Sequence, residues 1–213
     1  MHAYVNPECT LKEFIKVYKN CISEDLCDSI LSEYTANESE WGTSYVMRPT
    51  GHRTGDNDFR NSRELFITSD EVINRNFNVR KQIDEDLFNI FGSVIKDYVA
   101  TVSPFLPISR DTGYSLLAYD PGCYFKQHID VLSYPENAID GLVSVENALP
   151  RRVSLSLFLN DDYEGGDLSF FDATYTIPKQ KGTVVLFPSN CMFPHQVHKV
   201  TSGCRYSIVT WFC

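Results

Sequence analysis

The stretch from Gly113 to the C-terminus constrains the fold most. It breaks into short β-rich runs at 113–119, 124–131, 152–160, 167–172, 174–178, 183–187, 195–200 and 204–212, with Gly, Pro, Asn or Asp at most of the joins. Eight short strands punctuated by turn residues predict a sandwich or double-sheet jelly roll. The long break from Leu132 to Arg151 then reads as an insertion over the mouth of that sandwich.

The preceding hundred residues read as mixed, with helices dominant. Ser23 is placed to cap a helix through Leu26, Ile30, Leu31 and Tyr34. A longer helix is expected over about 78–99. Its apolar positions are Ile83, Leu87, Ile90, Phe91, Val94, Ile95, Tyr98 and Val99, one stripe that must pack on something large. The predicted class is therefore mainly β with flanking helices, the helices lying on one sheet. One domain is expected over 1–213, with a helical or mixed part at 1–110 and the β core at 111–213. The polar segment 50–62, TGHRTGDNDFRNS, is long enough for a functional loop.

Charge narrows the partners. Acidic residues number 28 and basic ones 19, a net charge of −9. Nucleic-acid binding is not expected, because phosphate neutralisation needs clustered Lys and Arg. No apolar run approaches the roughly 20 residues that span a bilayer. The start, MHAYVNPECT, lacks a secretory pattern. The odd cysteines, Cys9, Cys21, Cys27, Cys123, Cys191, Cys204 and Cys213, include no Cys-x-x-Cys pair. Reduced thiols and a cytoplasmic setting are the expectation.

Chemistry concentrates in three places. His128 and Asp130 stand two apart in an expected strand, where residues i and i+2 share a face. His195 follows the apolar run VVLFPS, and Arg205 is the second residue of the last run, CRYSIVTWF. A guanidinium inside an apolar strand is costly to bury unless it meets an anion, and its planar fork suits a carboxylate. A salt bridge to an internal acid is the competing explanation for Arg205. Two imidazoles and a carboxylate match the facial triad of non-haem iron sites, with coordination positions left open. Zinc is the alternative metal, although structural zinc sites are closed and favour Cys.

The motifs Tyr119-x-x-Gly122-x-x-Phe125-x-x-His128-x-Asp130, RRVSLSLFLNDDYEGGDLSFF, GTVVLFPSNCMFPHQV and VTSGCRYSIVTWF together resemble the Fe(II)- and 2-oxoglutarate-dependent dioxygenases of the prolyl 4-hydroxylase-like branch. The resemblance implies a double-stranded β-helix, with His128, Asp130 and His195 as iron ligands. It implies Arg205 as the partner of the far carboxylate of 2-oxoglutarate, assisted by Ser207. Trp211 and Tyr119 match residues that line the cosubstrate pocket. Phe158 stands where some relatives carry a phenol for that carboxylate, and Ser154, on the same strand face, is the expected substitute. FRNS at 59–62 resembles a substrate-loop motif, which makes Arg60 the candidate substrate-side residue. Dioxygen is the implied oxidant, with ascorbate as a possible reductant. Hydroxylation of a prolyl residue in a peptide or protein is the leading reading. A hydroxylase of a free amino acid or other small molecule and a non-catalytic jelly-roll binding module are the alternatives.

Overall fold

The computed structural model describes residues 10–47, 53–54, 58–131 and 150–213. Segment 132–149, most of the expected insertion, and His2, Cys9 and His52 lie outside them, as does part of the 50–62 loop.

Two antiparallel sheets face one another. The strands are β1 (Lys16–Tyr18), β2 (Gly42–Thr43), β3 (Val46–Met47), β4 (Arg53–Thr54), β5 (Arg63–Phe66), β6 (Ser115–Tyr119), β7 (Phe125–His128), β8 (Val153–Phe158), β9 (Glu164–Gly165), β10 (Leu168–Phe170), β11 (Tyr175–Thr176), β12 (Val184–Pro188), β13 (His195–Val197), β14 (Val200–Ser202) and β15 (Arg205–Phe212). The larger sheet has the order β1-β12-β8-β15-β6-β5-β2, and the smaller one β11-β10-β13-β7. This is the expected jelly roll, a double-stranded β-helix.

The helices cover one face of the larger sheet. Helix α1 (Glu24–Thr35) starts at Ser23, whose hydroxyl accepts from the Leu26 amide at 3.2 Å. Glu24 and Asp25 occupy its first turn, where acids complement the helix dipole. A short α2 (Asp70–Arg75) leads into α3 (Phe77–Val102). The stripe read from the sequence is the face that packs: Leu87, Phe91 and Tyr98 are buried against Leu116, Leu155, Leu186 and Ile208 of the sheet.

Strand parity divides the large sheet between two cores. Leu116, Leu155, Leu157 and Ile208 face the helices. Leu117, Tyr119, Phe158, Val185 and Phe187 point the other way, towards Leu168, Phe170 and Val197 of the small sheet. The space between the sheets holds the functional site.

The N-terminal part is mixed: β1, β2 and β5 extend the larger sheet at both edges. One expectation needs correction. The run expected at 195–200 is two strands, and His198 lies between them with its Nε2 bonded to the Ser169 hydroxyl at 2.8 Å.

Candidate active site

His128 ends β7 and His195 begins β13, and the two are direct register partners across that antiparallel pair. Their ring centroids lie 4.2 Å apart. Asp130 was expected within the same strand as His128, but β7 stops at His128. The amide of Val131 donates to the Ser189 carbonyl at 2.8 Å, which holds the Asp130 segment against the end of β12. The carboxylate thus reaches the imidazoles from a loop: Oδ1 is 3.6 Å from His128 Nε2 and Oδ2 is 3.5 Å from His195 Nε2. One donor atom from each of the three residues falls within 4.8 Å of the others.

The tautomers follow from the backbone. His128 Nδ1 lies 2.8 Å from the Lys126 carbonyl and His195 Nδ1 lies 3.1 Å from the Phe193 carbonyl. A carbonyl can only accept, so each Nδ1 carries the hydrogen and each Nε2 keeps its lone pair for the centre. Burial, together with neighbouring His128, pushes His195 down to about 4, so it is neutral at pH 7. Burial opposes charge on Asp130, but His195, His128 and a hydrogen bond from Ser154 outweigh it and hold the carboxyl well below the usual carboxylate range. A largely buried carboxylate beside two imidazoles is a donor set made for a divalent cation. Iron fits these residues. The walls are apolar: Phe125 stacks on His128 at 3.5 Å, and Phe187 and Phe170 flank His195 at 4.7 and 5.6 Å.

Arg205 lines the same cavity, which measures about 500 Å³ including its open mouth. The residue is 2% exposed. Its guanidinium donates to Ser207 Oγ at 2.8 Å, and its Nε has no partner among the described residues. Among the described residues no carboxylate pairs with it, so the internal salt bridge is not what accounts for it. Tyr119 and Phe158 each place a ring centre 5.3 Å from the guanidinium. A buried cation with an unsatisfied N–H and aromatic walls fits an incoming carboxylate.

The remaining candidates separate. Tyr119, Ser207 and Trp211 line the cavity with Arg205 and the triad. The guanidinium of Arg151 lies 3.5 Å from the centre of the Trp211 ring. Arg60 also lines the cavity, 4.7 Å from the Phe125 ring centre, and donates to Ser62 Oγ and the Tyr45 carbonyl. Ser154 does not stand beside Arg205. It pairs with Trp211 at the far end of β15, while Phe158 pairs with Ser207, and its hydroxyl donates to Asp130 Oδ2 at 2.6 Å. Sharing a strand face was right, but the antiparallel register puts Ser154 at the metal end of the cavity.

Two neighbours were not singled out from sequence. Ser189 lies 2.8 Å from the Ser154 hydroxyl. Tyr163 is buried beside Arg205; burial raises its phenol pKa, and the guanidinium opposes that rise. Both lie inside the quoted motifs, but their partners are distant in sequence and no spacing marks them.

Residues 114–213 match the family described as the 2OG-Fe(II) oxygenase superfamily. That segment contains every triad residue and Arg205. A PKHD-type hydroxylase of Synechococcus sp. (strain JA-2-3B'a(2-13)) is 34% identical over 87 residues, 38% of this chain and 37% of that protein. The chain thus spans little more than a third of the curated relative it matches there. Among solved structures, a prolyl hydroxylase from Trichoplax adhaerens, in complex with a hypoxia inducible factor oxygen degradation domain peptide, superposes with a TM-score of 0.68. It is 18% identical, covering 93% of this chain and 83% of that one. A Pseudomonas putida prolyl-4-hydroxylase gives 0.61 at 19% identity, covering 93% and 92%. The fold shared with these structures therefore extends beyond the matched segment to the N-terminal helices and edge strands.

Proposed function

We propose that the protein is an Fe(II)- and 2-oxoglutarate-dependent dioxygenase that hydroxylates an unactivated C–H bond, with a prolyl residue of a peptide or protein as the leading substrate. One observation carries the reading: a buried guanidinium with no acidic partner among the described residues shares an apolar cavity with a convergent His-Asp-His set. His128, Asp130 and His195 would hold the iron. Bound iron supplies the oxygen chemistry that couples decarboxylation of 2-oxoglutarate, to succinate and CO2, to hydroxylation.

The chain's own residues bind and orient. Arg205 offers two or more charged N–H donors to the far carboxylate, so the keto acid enters in one direction, its keto end towards the triad. Ser207 fixes the guanidinium from below, and Tyr119 and Phe158 exclude water around it. Trp211 and Arg60 border the cavity, where a substrate approaches. Arg60 is assigned to the substrate side, presenting a cation to a peptide carbonyl or carboxylate. The described cysteines are free thiols, which supports a reducing, cytoplasmic setting that keeps iron in its lower state. No described helix is long and apolar enough to cross a membrane. Both sheets and the helical cover share continuous cores, which supports treating the chain as one catalytic domain.

The test is anaerobic loading with Fe(II), then addition of 2-oxoglutarate, dioxygen and ascorbate with a panel of proline-containing peptides and free amino acids. Mass spectrometry follows succinate and hydroxylated product. Peptide-dependent succinate and a hydroxylated proline are expected. Turnover only with a free amino acid moves the substrate class. Metal binding without any 2-oxoglutarate turnover supports a binding module instead.

A further inference from the structure

The Ser154 hydroxyl is committed to the metal end of the cavity, and the chemistry of its hydrogen bonds has a direction. Ser154 donates to Asp130 Oδ2 at 2.6 Å, which spends its single hydrogen. The 2.8 Å contact between Ser154 and Ser189 must then run the other way, Ser189 donating and Ser154 accepting. The result is a one-way chain, Ser189 to Ser154 to Asp130. Both serines are sealed, at 2% and 1% exposure. Water therefore does not readily replace either hydroxyl.

The backbone fixes the same unit. Ser189 accepts from the Val131 amide at 2.8 Å and donates its own amide to the Arg152 carbonyl at 3.0 Å. One residue after β12 thus grips the segment carrying Asp130 and the entrance to β8, which carries Ser154. This matters because Asp130 lies past the end of its strand and has no ladder to hold it.

We propose that Ser154 and Ser189 form a relay that positions Asp130, occupying Oδ2 and leaving Oδ1 as the carboxylate oxygen presented to a divalent metal. The inference rests on the triad being a metal site. Ser154 and Ser189 are positioning residues, since they act only through Asp130. A strong hydrogen bond to Oδ2 also disfavours capture of both oxygens by the metal, which keeps positions open for 2-oxoglutarate.

The experiment measures anaerobic Fe(II) and Co(II) binding by calorimetry, and the ligand-field spectrum of the Co(II) form, for the full-length wild type and for Ser154→Ala, Ser154→Thr and Ser189→Ala. Apo-protein unfolding is followed in parallel. Outer-sphere partners of metal ligands typically change affinity roughly 10–100-fold. Ser154→Ala is expected to lose that much affinity and to alter the Co(II) spectrum. Ser189→Ala should lose less, because Ser154 still reaches Asp130. Ser154→Thr keeps the hydroxyl and should restore most of the affinity. If Ser154→Ala folds and binds both metals as tightly as wild type with an unchanged spectrum, the relay is overturned. If Ser154→Ala does not fold, Ser189→Ala decides by the same two readouts. A wild type that binds neither metal would instead overturn the metal site itself.

Discussion

Arg205 stands opposite Tyr119 in the β15–β6 ladder, and its guanidinium lies 5.3 Å from the centre of that ring. The pairing puts a fixed cation against an aromatic wall, with Ser207 two residues along the same strand face. Arg205→Lys keeps the charge but replaces the fork with a point donor. Charged hydrogen bonds are worth roughly 1.5–3 kcal/mol, so the 2-oxoglutarate requirement should rise about ten- to 150-fold. Initial rates of succinate formation across cosubstrate concentrations measure it. An unchanged requirement would move the anchor elsewhere.

Gly166 sits at φ +66° against the stem of the same arginine. A Cβ there would stand 2.9 Å from Val200 Cγ2, 3.0 Å from Tyr163 Cε2 and 3.2 Å from Arg205 Cδ. Alanine is strained at this φ and crowds three neighbours. Gly166→Ala should cost more than about 1 kcal/mol in denaturant unfolding. It should also weaken 2-oxoglutarate binding more than metal binding, because the displaced atom belongs to Arg205 and not to the triad. Separate titrations of metal and cosubstrate distinguish the two effects.

The site was legible in sequence where one face of one strand carried it. Arg205, Ser207 and Trp211 alternate along β15 and all line the cavity. The His128/Asp130 pair was legible as a spacing, although Asp130 reaches the centre from a loop and not by strand parity. Ser154 shows what periodicity lacks. It reports a face but not a height, and only the β15–β8 register places Ser154 near the metal rather than near Arg205. The strands β1 and β5 escaped for a related reason. KVY and RELF are too short to alternate convincingly, and their pairing is imposed by β12 and β6.

The helical cover depends on a buried ion network. Arg80 meets Glu33 at 2.6 Å and Glu40 at 2.7 Å, and donates to the Val72 carbonyl at 2.8 Å. The Arg80 and Glu40 side chains are each 4% exposed. Arg80→Met leaves Glu33 without its cation and Glu40 with only the longer 3.7 Å contact to Arg75, and breaking a buried pair typically costs about 3–5 kcal/mol. The hydrogen bond from Arg80 holds Glu40 below its ordinary value despite burial. A depressed acid contributes stability above its unfolded pKa and loses it as pH falls through the folded value. Denaturant unfolding should therefore show the gap between wild type and Arg80→Met narrowing below about pH 4. A gap that stays constant on acidification would mean that packing, not charge, sets the cost.

Metal occupancy should register as stability. Iron held by His128, Asp130 and His195 would tie β7, the Asp130 loop and β13 together, and the unfolded chain lacks that geometry. A ligand specific to the native state stabilises by about 2.7 kcal/mol at a hundredfold excess over its Kd. For a chain of this length that corresponds to a rise of roughly 5–10 °C in Tm. Thermal unfolding under anaerobic conditions, with Fe(II) added and then removed by a chelator, should show the rise and its reversal. His195→Ala removes one buried donor of the three, and its Tm should hardly respond to the metal. Equal responses in wild type and variant would place the bound metal outside the cavity between the sheets.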